Sequence, residues 1–134
     1  MKILIICTSN SCRSQMAEGF FKNYRKDWKV ESAGLSSTKL NPLAAAAMKE
    51  KDIDISRQKS KGLSTFLGKS FDYVITVCDS ARESCPVFQG RTKNIHWSFK
   101  DPAGARGSKE QKLKIFRKVR DEIEEKILKF LERS

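Results

Sequence analysis

Apolar positions fall into short unbroken runs separated by stretches with helical spacing. "KILII", residues 2–6, is continuous, as expected of a strand covered on both faces. From about Cys12 to Tyr24 the pattern changes, and Met16, Phe20 and Phe21 give the apolar stripe of a helix. "WKVESAG" predicts a second strand closed by Gly34. Asn41 followed by Pro42 is a helix start, a capping side chain and then a first-turn proline, and "LAAAAMKEK" continues it. "SKGLSTFLGK" predicts a short helix stopped by Gly68. "DYVITV", Asp72 to Val77, predicts the third strand, and "KNIHW" the fourth. Ser108 and Gln111 fit an S-x-x-Q capping box. The helix they open carries Leu113, Phe116, Val119, Ile123, Ile127 and Leu131 at three-and-four spacing. Strands alternating with helices predict an α/β fold with a parallel sheet covered on both sides. One domain over residues 1–134 is expected, without repeat or linker.

Composition narrows the partners. A net charge of +11 suits small anions or an acidic protein as well as nucleic acid. Nucleic acid is disfavoured, because no stripe of interleaved aromatic and basic residues is present to read bases. A membrane is excluded from the expected partners, since no run approaches the ~18 apolar residues that span a bilayer. "MKILII" is too short for a signal-peptide core and lacks a cleavage site. A cytoplasmic location is therefore expected, where cysteines stay reduced unless they do redox or metal chemistry.

The chemistry concentrates in "CTSNSCRS": Cys7, five residues, Arg13, then Ser14, placed between the first strand and the first helix. In an open parallel sheet, ligands bind beyond the carboxyl ends of strands. Consecutive N–H groups of Thr8, Ser9, Asn10, Ser11, Cys12 and Arg13 in such a turn can form an anion nest, and the helix start adds positive potential. The Arg13 guanidinium supplies a fork of donors to an oxyanion. The same field favours the thiolate of Cys7, the nucleophilic form of the residue, and Ser14 can donate to it. The alternative is a buried, inert cysteine near a helix start. Cys78 and Cys85, with six residues between them, follow the third strand. Structural zinc is a poor explanation, because no tight C-x2-C pair exists. Two unrelated buried thiols, or a second reactive pair, remain open on spacing alone.

"CTSNSCRSQMAEG", "ESAG", "NPLAAAAMKEKDIDIS" and "HWSFKDPAG" resemble the thioredoxin-coupled arsenate reductases, which share the low-molecular-weight protein tyrosine phosphatase fold. The resemblance covers nearly the whole chain. It implies a four-stranded parallel sheet in order 2-1-3-4 with flanking helices. It also implies reduction of arsenate to arsenite, with Cys7, Cys78 and Cys85 as a redox relay and thioredoxin as reductant. No cofactor is then needed, since the thiols carry the electrons, and a monomer is expected. Asp101, before Pro102, is implied as the general acid for the leaving oxygen; a carboxyl near a thiolate and a bound dianion is suited to hold a proton. A turn cap is the competing role for an Asp-Pro pair.

The nearest rival is a phosphatase that uses Cys7, Arg13 and Asp101 and stops at hydrolysis. Against it, tyrosine phosphatases of this fold usually place an aromatic residue just after Asp-Pro, where this chain has Ala103 and Gly104. Two departures from the family pattern stand out. Many members have glycine where this chain has Ser9, so a positive φ there would strain the serine modestly. Some bind potassium through residues matching Asn10, Glu18 and Ser32 plus an aspartate, and this chain carries Lys61 at the aspartate's position. No metal is therefore expected. Cys12 is read as structural or as an oxidation liability, and His96, the only histidine, as structural. Were "CDSARESC" helical, its ends would lie ~10.5 Å apart along the axis. A disulfide needs Cα atoms within ~7 Å, so Cys78 and Cys85 pair only across a non-helical segment.

Overall fold

The computed structural model describes residues 1–78 and 92–133. Strand β1 spans Lys2–Cys7, helix α1 Arg13–Tyr24, β2 Lys29–Gly34, α2 Pro42–Lys49, β3 Tyr73–Thr76, β4 Lys93–His96 and α3 Lys109–Glu132. The four strands are parallel and ordered β2-β1-β3-β4, as the resemblance implied. β1 is central, and its unbroken apolar run has the expected cause: Ile3 to Cys7 are buried without alternation. β3 is shorter than predicted, yet Asp72 N–H to the Lys2 carbonyl and Val77 N–H to the Ile6 carbonyl extend its pairing to both predicted ends.

Local signals settle the helix starts. Asn41 Oδ1 accepts from the Leu43 N–H, and Pro42 occupies the first turn. Ser108 and Gln111 form both halves of the capping box. "SKGLSTFLGK" departs from expectation. It makes only a 3-10 turn, Leu63–Phe66, with Gly68 at φ 83° beyond it. Only Leu63 and Phe66 of this turn are buried, too little apolar surface to hold a longer helix.

Helices α1, α2 and α3 pack on one another and bury Met16, Phe20, Phe21, Met48, Phe116, Val119, Ile123 and Ile127. Phe21, Trp97, Phe130 and Tyr73 form an aromatic cluster, with Phe21 stacked on Trp97 at 6.4 Å and Tyr73 edge-on to Phe130 at 5.1 Å. This cluster ties α1 and α3 to β3 and the end of β4. Register then aligns the strand ends. Cys7 stands opposite Gly34, Ile6 opposite Thr76, and Thr76 opposite His96. The Cys7 loop thus leaves the middle of the sheet at its carboxyl edge.

Two substitutions separate core from cap. Phe116→Ala should cost about 3–5 kcal/mol through a large buried deletion. Ser108→Ala should cost only about 1 kcal/mol through a lost cap. Urea denaturation midpoints at unchanged slope are the check.

Candidate active site

Each carbonyl from residue 7 to residue 12 is bound by a donor outside the loop. Cys7 O accepts from Leu35 N–H, Thr8 O from Ser36 N–H and Ser11 O from Asn41 N–H, at 3.1, 3.2 and 3.0 Å. Ser60 Oγ binds Ser9 O at 3.1 Å, and Gln15 Nε2 binds Asn10 O at 3.0 Å. Cys12 O takes the first α1 bond, from Met16 N–H. In a trans peptide the carbonyl and the following N–H point opposite ways. Six outward carbonyls therefore turn the N–H groups of Thr8 to Arg13 toward the inside of the loop. The Asn10 N–H lies 3.2 Å from Cys7 Sγ.

Positive φ in this loop falls on Asn10, at 53°, and not on Ser9, which corrects the expected strain. Asparagine tolerates that region better than other non-glycine residues. Gly34 is the residue that must lack a side chain. A Cβ there would overlap the Ser36 carbonyl oxygen and lie 2.7 Å from Asn10 N. β2 ends hard against the loop, which is how Leu35 and Ser36 reach its carbonyls.

Cys7 is buried, and Ser14 Oγ lies 2.8 Å from its sulfur. Asn10 Nδ2 donates to that same oxygen at 2.8 Å, which leaves the single serine hydrogen for the sulfur. Two donors, one from backbone and one from a hydroxyl, are thus aimed at Sγ. Arg13 is 8% exposed; Nη1 donates to the Phe99 carbonyl at 3.0 Å, and Nη2 lies 3.6 Å from Asp101 Oδ2. The fork therefore connects the cradle to the loop after β4. Asp101 takes the turn-cap role: Oδ1 caps the 3-10 turn Pro102–Gly104 through Ala103 N–H, while Oδ2 faces Arg13. Beside it an open depression of about 350 Å³ is lined by Lys100, Arg106 and Ile115, so that two cations flank the Asp101 side of the site.

Cys78 is buried just beyond β3, and its Sγ lies 3.1 Å from Thr8 Oγ1. The second sulfur therefore sits at the rim of the cradle. Cys85 lies outside the described residues, with the rest of residues 79–91. Cys12 is the α1 N-cap residue, and burial pushes its thiol up to about 11. That favours the structural reading over an oxidation liability, because the thiol stays protonated at neutral pH. His96 Nδ1 is 2.8 Å from Thr76 Oγ1 and joins two strand ends.

Sequence reading missed the residues that hold the loop from behind. Gln15 is fully buried; Nε2 bonds both Asn10 oxygens and the Lys59 carbonyl, and Gln58 in turn bonds Gln15. The available signal was a glutamine in the first turn of a helix whose neighbours are core residues, since a buried amide must find partners. Gly34 was seen as a strand end, and the need for close approach was not.

The chain belongs to the low molecular weight phosphotyrosine protein phosphatase family, whose pattern matches residues 2–133. The resemblance to arsenate reductases also holds. An arsenate reductase of Shouchella clausii (strain KSM-K16) is 49% identical over 131 residues, 97% of this chain and 94% of that protein. A solved structure of an arsenate reductase in the phosphate binding state matches with a TM-score of 0.78 at 35% identity, covering 98% of this chain and 97% of the other. The low molecular weight protein tyrosine phosphatase of T. tengcongensis matches with a TM-score of 0.79 at 27% identity, covering 100% and 99%. Among the described residues, no helix is long and apolar enough to cross a membrane.

The buried Cys12 thiol gives a pH prediction. Its thiolate fraction grows only as pH climbs toward about 11. Iodoacetamide should leave Cys12 of the folded protein unmodified below about pH 9 and react with it readily in urea. Peptide mass spectrometry reads the outcome, and equal labelling in both states at neutral pH would contradict it.

Proposed function

We propose that this protein reduces arsenate to arsenite through three cysteines and is regenerated by thioredoxin. One observation carries the choice of a reductase over a simple hydrolase: Thr8, a residue of the anion loop, touches the sulfur of Cys78 at 3.1 Å. A hydrolase of this fold needs no second thiol beside the cradle. Arsenate reductases among the relatives favour the same reading.

In the proposed cycle the N–H groups of Thr8 to Arg13 and the Arg13 guanidinium hold the oxyanion. Cys7 Sγ attacks arsenic, and Asp101 protonates the oxygen that leaves. Ser14 steadies the sulfur throughout. Cys78 then attacks Cys7 Sγ. A sulfur–sulfur bond forms and the sulfur–arsenic bond breaks. Its electron pair stays on arsenic, which passes from As(V) to As(III) and departs as arsenite. Cys85 attacks Cys78, freeing Cys7 as thiolate and leaving a Cys78–Cys85 disulfide. Thioredoxin supplies two electrons and two protons to reopen it. The thiols carry the electrons, so the cycle uses no organic cofactor and no metal. A cytoplasmic monomer suits this chemistry, since the cytosol keeps thiols reduced between turnovers.

The test couples arsenate to NADPH consumption through thioredoxin and thioredoxin reductase, beside hydrolysis of p-nitrophenyl phosphate. Cys7→Ser should lower both activities by roughly 1,000-fold or more. Cys78→Ser and Cys85→Ser should end multiple-turnover arsenate reduction and spare any hydrolysis. Equal loss of both activities in folded Cys78→Ser would remove the relay. Hydrolysis without any arsenate-dependent NADPH use would assign the protein to phosphate esters instead.

A further inference from the structure

Glu18 is a carboxylate buried on the inner side of α1, its side chain 2% exposed. Ser32 Oγ donates to Oε1, Lys22 Nζ meets Oε2 at 2.6 Å, and Lys61 Nζ stands 3.7 Å from Oε1. The Lys61 ammonium also lies 3.3 Å from the Lys59 carbonyl oxygen and 3.7 Å from Glu31 Oε2. It thus faces oxygens from α1, from β2 and from its own segment, with its side chain only 24% exposed. Lys22 is half-exposed and one turn away on the same helix. Lys61 is the cation that reaches Glu18 from a different part of the chain.

The potassium that some family members hold here does not fit these residues. Asn10 Oδ1 is already engaged by the Lys61 N–H at 2.7 Å and by Gln15 Nε2 at 3.1 Å. Ser32 Oγ accepts from Asn10 Nδ2 at 2.9 Å while donating to Glu18. A fixed positive charge stands beside the remaining oxygens, and like charges at such separations repel.

We infer that Lys61 is, beside Lys22, a resident counter-ion of Glu18 and, through it, a positioning residue for Cys7, so that the anion loop is set without a free alkali cation. The connection is continuous. Glu18 accepts from Ser32, Ser32 accepts from Asn10 Nδ2, and the other Nδ2 hydrogen goes to Ser14, which is left to donate to Cys7. Lys61 acts on both sides of the Asn10 amide. Its backbone N–H holds the oxygen, and its ammonium anchors the carboxylate chain that holds the nitrogen. A buried carboxylate that loses a cation turns toward solvent or takes up a proton. Either change strips Ser32 of its acceptor and frees the Asn10 amide to rotate. The inference rests on Cys7 being nucleophilic and not on which oxyanion it attacks.

The experiment compares wild type, Lys61→Ala and Lys61→Arg in choline chloride and in KCl at equal ionic strength. The readouts are the rate of Cys7 alkylation by iodoacetamide and the thermal midpoint, neither of which depends on arsenate turnover. Wild type should behave alike in both salts. Lys61→Ala in choline should alkylate roughly tenfold more slowly, the usual scale for a partner outside the reacting atoms. KCl or ammonium chloride should recover most of the rate, because the space left by the ammonium lets a small cation meet Glu18 Oε1, Glu31 Oε2 and the Lys59 carbonyl without engaging Asn10 or Ser32. Lys61→Arg should recover it without potassium. Three results would overturn the inference: potassium dependence in the wild type, a Lys61→Ala protein as fast as wild type in choline, or a slow one that no small cation recovers. Should Lys61→Ala fold in neither salt, Lys61→Gln must show the same potassium response, and its failure to do so counts equally against the inference.

Discussion

Six consecutive carbonyls turned outward constrain everything else in this structure. A peptide unit cannot present its N–H to an anion unless the preceding C=O points away, and a carbonyl turned from the pocket must still find a donor. The loop from Cys7 to Cys12 meets both demands with donors from four directions: the exit of β2, the start of α2, the first turn of α1 and the segment around Ser60. That explains why Gly34 has no room for a Cβ, since Leu35 and Ser36 must pass close to the loop to donate. It also explains why Asn10 is left-handed, because one residue must reverse the chain for its N–H to face the Cys7 sulfur. The sheet order serves the same end. Placing β1 between β2 and β3 puts the loop in the middle of the carboxyl edge, within reach of Thr8's partner Cys78 and of the loop that carries Asp101.

Behind the loop, hydrogen-bond direction matters more than hydrogen-bond number. An amide has two donors on one side and an acceptor on the other, so Asn10 can satisfy Ser14 and Ser32 only in one orientation. Three anchors keep that orientation: the Lys61 N–H, Gln15 and the Glu18–Ser32 pair. On the proposed reading, the result is a nucleophile whose donors are aligned before substrate arrives, which is the form of preorganisation that lowers a barrier without tightening ground-state binding.

Much of the fold was legible because its signals are local. The buried strand run, the Asn41–Pro42 start and the Ser108–Gln111 box each act within a few residues, and all three form as read. The placement of Cys7 and Arg13 between strand and helix was legible for the same reason. What could not be read was any property set by distant chain meeting the loop. The left-handed residue was sought at Ser9 and lies at Asn10, because the position of the reversal depends on where Ser36 and Lys61 donate. Gln15 gave a sign of burial but none of its partners, since Asn10, Lys59 and Gln58 are brought to it by the tertiary fold alone. The short 3-10 turn at Leu63–Phe66 shows the converse failure, a helical pattern with too little to bury.

Among the relatives of this chain one scaffold serves two chemistries. Oxyanion capture depends on backbone N–H groups, which do not distinguish a phosphorus centre from an arsenic one, and on Arg13, whose fork reads tetrahedral oxygen geometry alone. Nothing in that cradle selects reduction over hydrolysis. Selection must come from whatever meets the covalent adduct next, water or a second thiol. Here a single side chain bridges the two parts. Thr8 belongs to the loop through its backbone, with its carbonyl held by Ser36, and belongs to Cys78 through its hydroxyl. A hydroxyl can donate to a thiolate or accept from a thiol, so it suits the sulfur in either state. On the proposed reading, the step from phosphatase to reductase therefore leaves the anion loop unchanged and begins with a thiol at the end of β3, held where the loop's own second residue can touch it, with Cys85 completing the relay.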